Sequence, residues 1–137
     1  MSLLTQKTIL ETISLNGIGI HTGSKVNLKI KPASPNTGII FKRVDLSTKN
    51  IVYPNYLNVS DTTLCTTISN EYGVKVSTIE HLMGAFYGVG IDNAIVELDS
   101  QEVPIMDGSS SDFIEIIKTA GIKEQSKNRK FLKIYPI

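Results

Sequence analysis

The hydrophobic period of this chain changes once, near Ser77, and that change restricts the folds open to it. Before Ser77, apolar and β-branched residues alternate or run in short stretches, Lys7 to Leu15, Lys25 to Ile30, Thr37 to Arg43 and Ile51 to Val59, which is the pattern of strands. Asn16-Gly17 and Pro35-Asn36 supply turn residues between them. Leu64 to Ser69, then Glu71-Tyr72-Gly73 and Val74 to Val76, read as a hairpin. From Ser77 onward, Ile79, Leu82, Met83 and Phe86 fall at helical spacing, and the segment stops at Gly88 and Gly90. Ser77 and Glu80 have the form of a capping box, with Ser at N-cap and Glu at N3. A strand pair follows, Asn93 to Leu98 and Glu102 to Ile105, then a second helix from Ser111 to Ala120 closed by Gly121. Lys123 to Lys130 reads as a charged, solvated connector and Phe131 to Tyr135 as a last strand. Strands first and helices later predict the α+β class: a two-layer domain, a mostly antiparallel sheet with two helices packed on one face.

A chain of 137 residues fits one domain and buries about two thirds of its unfolded surface. Fourteen Lys and Arg against 13 Asp and Glu give a net charge of +1, spread along the chain, which argues against a nucleic-acid partner. No run approaches the roughly 20 apolar residues of a membrane span, and the apolar stretch near Met1 is too short for a signal peptide. Cys65 is the single cysteine and cannot form an internal disulfide. These features predict a soluble, cytoplasmic protein.

Both helices point to a further contact. In the second, Phe113, Ile117 and Ala120 form one stripe while Ile114 and Ile116 turn away from it, so the apolar surface is wider than one sheet needs. In the first, His81, Gly84, Ala85 and Gly88 share a face, a small-residue groove with an imidazole at its end. The last residues, Tyr135-Pro136-Ile137, follow directly on an apparent strand. The expectation is a partner domain, or self-association through the helix face.

Chemistry has few carriers here. His21 and His81 are the two histidines, so a His-rich metal site cannot be assembled from this chain alone. Glu80 and His81 project about 100° apart on a helix and can present a general base and a ligand to neighbouring points of one cavity. Zinc hydrolysis uses that division: a neutral imidazole holds the ion while a carboxylate takes the proton of the attacking water. The plainer account is a capping Glu80 beside a packed or surface His81. Gly17-Ile18-Gly19-Ile20-His21-Thr22-Gly23 reads as a loop that brings backbone near a ligand, or simply as a tight turn. Cys65, in Asp61-Thr62-Thr63-Leu64-Cys65-Thr66, reads locally as a small buried hydrophobe. Met106-Asp107-Gly108-Ser109-Ser110-Ser111 reads as a turn and N-cap, or as an anion site.

Taken together, GIGIHTG, DTTLCTT, VSTIEHLMGAFYGVGIDNAIVEL and EVPIMDGSSSDF occur in the order and spacing of one family. From about residue 6 to residue 135 the chain resembles the N-terminal half of the UDP-3-O-acyl-N-acetylglucosamine deacetylases, zinc amidases of lipid A biosynthesis in Gram-negative bacteria. The resemblance implies one half of a two-domain fold, with residues 1–137 as the N-terminal domain and the active site between the halves. It implies that His81 is a Zn2+ ligand and Glu80 the catalytic base, with His21, Leu64 and Cys65 lining the substrate site. The remaining zinc ligands, a His and an Asp in an HxxxD arrangement, a general-acid His, a catalytic Lys and the acyl channel are implied to come from a C-terminal domain outside this sequence. The implied reaction is removal of the N-acetyl group of UDP-3-O-(3-hydroxyacyl)-N-acetylglucosamine, the committed step of lipid A biosynthesis, with this chain alone inactive and weak or empty in zinc. The alternative expectation is a non-catalytic structural module that docks a partner through its helix face.

Overall fold

The computed structural model describes residues 4–135. Its elements run β1 (Thr5–Ile9), β2 (Ile13–Ile18), β3 (Lys25–Pro32), β4 (Ile39–Arg43), β5 (Ile51–Val52), a 3-10 turn (Tyr56–Asn58), β6 (Val59–Asp61), β7 (Thr67–Ser69), β8 (Lys75–Val76), α1 (Glu80–Val89), β9 (Ala94–Leu98), α2 (Ser111–Ala120) and β10 (Ile122–Asn128). The α+β class and the two-layer plan hold. The main sheet has five strands in the order β2-β3-β9-β4-β5, antiparallel except for the parallel pair β4–β9. β6, β7 and β8 form a separate three-stranded sheet, and β1 pairs with β10.

Period-2 patterning gives the sheet its two faces. In β3, Val26, Leu28 and Ile30 are buried while Lys25, Asn27 and Lys29 are exposed. Ala94, Val96 and Leu98 of β9 join that inner face, and Leu82, Ala85 and Phe86 of α1 with Phe113 and Ile117 of α2 complete one core cluster. The outer face is polar: Lys31 Nζ lies 2.7 Å from Glu97 Oε2, a half-exposed pair worth less than about 1 kcal/mol. α1 ends where Gly90 takes a left-handed φ of 78° and its N–H bonds back to Phe86 and Tyr87, a conformation that favours glycine.

Several expectations change in detail. Lys7 to Leu15 is two strands, because the N–H groups of Leu10 and Glu11 turn away to Gly121 O and Ala120 O at the end of α2. Asn16-Gly17 is no turn: both residues lie inside β2, and a Cβ on Gly17 would sit 2.7 Å from Pro104 Cβ. Ile51 to Val59 breaks after Val52 at Pro54, which has no N–H for a ladder, and continues through the 3-10 turn capped by Asn55. Glu102 to Ile105 makes one bridge, Ser77 to Glu102, instead of a strand, with Pro104 again lacking a donor. Lys123 to Lys130 is no connector. Its residues belong largely to β10, in register with β1 at Lys7 and Glu124, Thr8 and Lys123, Ile9 and Ile122. Backbone pairing sets that strand, and exposed charged side chains blunt its edge. Phe131 to Tyr135 has no ladder, and Leu132 is 90% exposed.

The capping box also fails. Ile79 is the N-cap of α1 and no side chain caps it. Ser77 is held in a bridge to Glu102, and Thr78 takes a φ of 57°, so the backbone between Ser77 and Glu80 does not follow the path a capping box needs.

Candidate functional site

α1 begins at an unusual junction. A β-branched residue at positive φ costs on the order of 1–3 kcal/mol unless its surroundings impose it. Thr78 is such a residue, 2% exposed, and its hydroxyl donates to Glu102 Oε1 at 2.9 Å. After Ile79, the N-cap, come Glu80 and His81, the first two residues of α1, both half-buried.

Glu80 turns its carboxylate toward the neighbouring hairpin, where Oε2 accepts the N–H of Thr66 at 3.1 Å. His81 fixes the start of α2: its carbonyl accepts Ser110 Oγ at 2.8 Å. On the small-residue face of α1, a Cβ on Gly84 would lie 3.1 Å from the side-chain oxygen Ser110 Oγ, whereas Gly88 has nothing within 4 Å. Among the described residues no hydrogen bond ties the His81 ring, so its nitrogens are open to an external partner. The N–H and then the hydroxyl of Ser109 hold the Asp107 carboxyl below its ordinary range.

His21, Leu64 and Cys65 come together in one open cleft of about 390 Å³. His21 and Leu64 are exposed and Cys65 is half-buried, its Sγ 3.6 Å from Thr67 Oγ1. Leu64 projects outward, 79% exposed, because Asp61 Oδ1 accepts both the N–H and the hydroxyl of Thr63 and turns the chain there. Those two Thr63 bonds, the hydroxyl first, hold the Asp61 carboxyl below its ordinary range. Glu80 does not line this cleft, but its carboxylate is hydrogen-bonded to Thr66, which stands in the chain between the lining residues Cys65 and Thr67. His81 does not line it. The predicted residues thus form two adjoining sets: the lining trio in the cleft, and the Glu80–His81 pair at the head of α1.

Sequence reasoning passed over the group that joins the two sets. Glu102 is 0% exposed, and its carboxylate accepts the N–H of His21 (3.0 Å), the N–H and hydroxyl of Thr22 (2.9 and 2.7 Å) and the hydroxyl of Thr78. A Cβ on Gly19 would run into that carboxylate, which is why glycine stands at the head of this turn. The available signal was one acid before the apolar run Val103-Pro104-Ile105, with unpaired hydroxyls elsewhere to meet it.

Catalytic zinc takes about three protein ligands and keeps a position open. Among the described residues no three His, Cys, Asp or Glu side chains converge on one point. The residues present therefore do not make a zinc site by themselves.

Comparison with known proteins gives these features a family. Residues 6–136 match the LpxC family, UDP-3-O-acyl N-acetylglycosamine deacetylase. Over 132 residues the chain is 52% identical to the UDP-3-O-acyl-N-acetylglucosamine deacetylase of Idiomarina loihiensis. It is 47% identical over 133 residues to the protein of that name from Haemophilus influenzae, and 46% over 132 residues to the one from Shewanella oneidensis. In each case the match takes in 96% of this chain but only 43% of the relative. At that coverage of its own length, the chain belongs to the UDP-3-O-acyl N-acetylglycosamine deacetylase family.

Proposed function

We propose that this chain is the N-terminal domain of a zinc-dependent UDP-3-O-acyl-N-acetylglucosamine deacetylase, contributing Glu80 as general base and His81 as one metal ligand. The supporting observation is that Glu80 and His81 are adjacent at the head of α1, beside a cleft lined by His21, Leu64 and Cys65. The 43% coverage of the relatives leaves room in them for further ligands, a His and an Asp, from a second domain. The substrate is UDP-3-O-(3-hydroxyacyl)-N-acetylglucosamine, the product acetate and the free amine, and the pathway that of lipid A in the cytoplasm of Gram-negative bacteria. Among the described residues no helix is long and apolar enough to cross a membrane.

A zinc ion bound there supplies Lewis-acid polarisation of the amide carbonyl and makes water more acidic. Glu80 takes the proton of the attacking water, and the departing amine is protonated by an acid from the second domain. Its bond from Thr66 N–H engages only Oε2, and the Glu80 carboxylate has further lone pairs with which to receive water. His21 and Thr22 edge the cleft where a polar sugar would lie, and exposed Leu64 offers an apolar contact.

Replacing Glu80 or His81 by Ala in the full-length protein should lower turnover by about 10²–10⁴-fold with the fold retained, read by acetate release and circular dichroism. Near-normal turnover in either variant would overturn the assignment. One observation favours the module reading for the chain alone: Tyr87 is 91% exposed on α1, and Ile114 and Ile116 of α2 remain half-buried. A zinc-free dimer with both helices buried at its interface would favour that reading.

A further inference from the structure

Glu102 is the one acidic side chain that is fully buried among the described residues. A carboxylate taken out of water needs either a cation or several donors. Here no cation meets it among the described residues, and four hydrogen bonds from His21, Thr22 and Thr78 do. The donors come from two segments far apart in sequence: the turn that carries His21, and the residue at positive φ that launches α1. An apolar residue at position 102 could fill the space but could not link them. A buried ionic group is weak support for stability and better support for specifying one arrangement.

We propose that Glu102 is a positioning residue of the site. Its carboxylate locks the His21–Thr22 turn onto Thr78, and so sets the distance between His21 and the Glu80–His81 pair. This rests on the assignment of Glu80 and His81 as the reacting groups. Three features converge on it: Gly19 leaves no room for a Cβ beside the carboxylate, Thr78 at its positive φ gives its hydroxyl to Glu102, and Glu102 itself borders the cleft.

The test is Glu102→Gln in this chain, read by amide hydrogen exchange and by the ring resonances of His21. Gln keeps the shape but turns one acceptor into a donor that faces Thr22 N–H or the hydroxyls. Exchange at His21 and Thr22 should quicken by about tenfold or more, the loss of one charge-assisted bond, and the His21 ring resonances should move. Amides of β3 and β9 should keep their protection. Unchanged exchange at both residues, or equal acceleration throughout the sheet, overturns the proposal. Should Glu102→Gln not fold, Thr78→Val removes one donor and buries no new one; it should show the same local loosening at smaller amplitude, and its absence overturns the proposal too. In the full-length protein, Glu102→Gln should lower kcat by about tenfold with KM within about twofold. Normal turnover in Glu80→Ala would sink the functional assignment whatever Glu102 does. An inactive Glu80→Ala beside a fully active Glu102→Gln would sink the positioning role alone.

Discussion

At the residue scale, the consequence of Glu102 for stability has a definite sign. Burial alone would raise its pKa, but the His21 N–H, the Thr22 hydroxyl and N–H, and the Thr78 hydroxyl together bring it below the ordinary 4.5. The folded state then binds that proton less tightly than the unfolded chain. Its contribution to stability is in place above about 4.5 and is lost as pH falls through the lower folded value. Urea unfolding at neutral pH and near pH 3 should show an acid loss of stability that is smaller in Glu102→Gln than in the parent. Asp45, Asp61 and Asp107 are also shifted down and add a background common to both proteins. Equal acid losses would mean that the carboxylate carries no such linkage. The same scale shows how far local patterns reach. STIEHL marked Glu80 and His81 correctly as the head of a helix, yet misassigned the role of Ser77, because a bridge to Glu102 could not be read from adjacent residues.

At the element scale, both helices are defined by what they bury. α1 was legible from Ile79, Leu82 and Phe86 at helical spacing, and Leu82 and Phe86 are 0% and 1% exposed in the core. α2 was legible to its ends, Ser111 and Ala120, because Phe113 and Ile117 lie one turn apart and Gly121 follows with a φ of 80°. Phe113→Ala empties the contact between α2 and the sheet and should cost about 3–5 kcal/mol, measured by chemical denaturation. A loss below about 1 kcal/mol would show that α2 is not anchored there. The strands were less legible. β3 and β9 alternate cleanly and were read nearly to their ends, whereas β10 has no apolar alternation and is a strand because β1 offers it a ladder. Its Gln125 completes an amide network with Asn93 and Gln6 at the seam of the two sheets. Pairing of that kind leaves little trace in hydrophobicity.

At the scale of the whole molecule, the proposed zinc site needs ligands beyond those the described residues bring together. The described residues bring no three candidate ligands together, and the matched relatives are more than twice as long as the match. The chain alone, loaded with one equivalent of Zn2+ and passed through gel filtration, should retain far less than one ion and release no acetate. Supplying a separately expressed second half should restore both. Stoichiometric zinc held by the chain alone would overturn the view that further ligands lie outside it. Tyr87 stands exposed on α1, whereas Ile114 and Ile116, expected to turn away from the core stripe, pack at its edge.

By itself, the sequence determined the class of fold, the presence of both helices with the extent of the second, and the family, because those depend on period, on glycine stops and on motifs that survive as contiguous strings. It also marked His21, Leu64, Cys65, Glu80 and His81. Only the tertiary structure decided which of them share a cleft, that β4 runs parallel to β9, and that Glu102 ties the His21 turn to the start of α1. The physical reason is range. Periodicity reports whether a side chain faces a core, but a hydrogen bond between residues 80 positions apart depends on how the chain closes on itself.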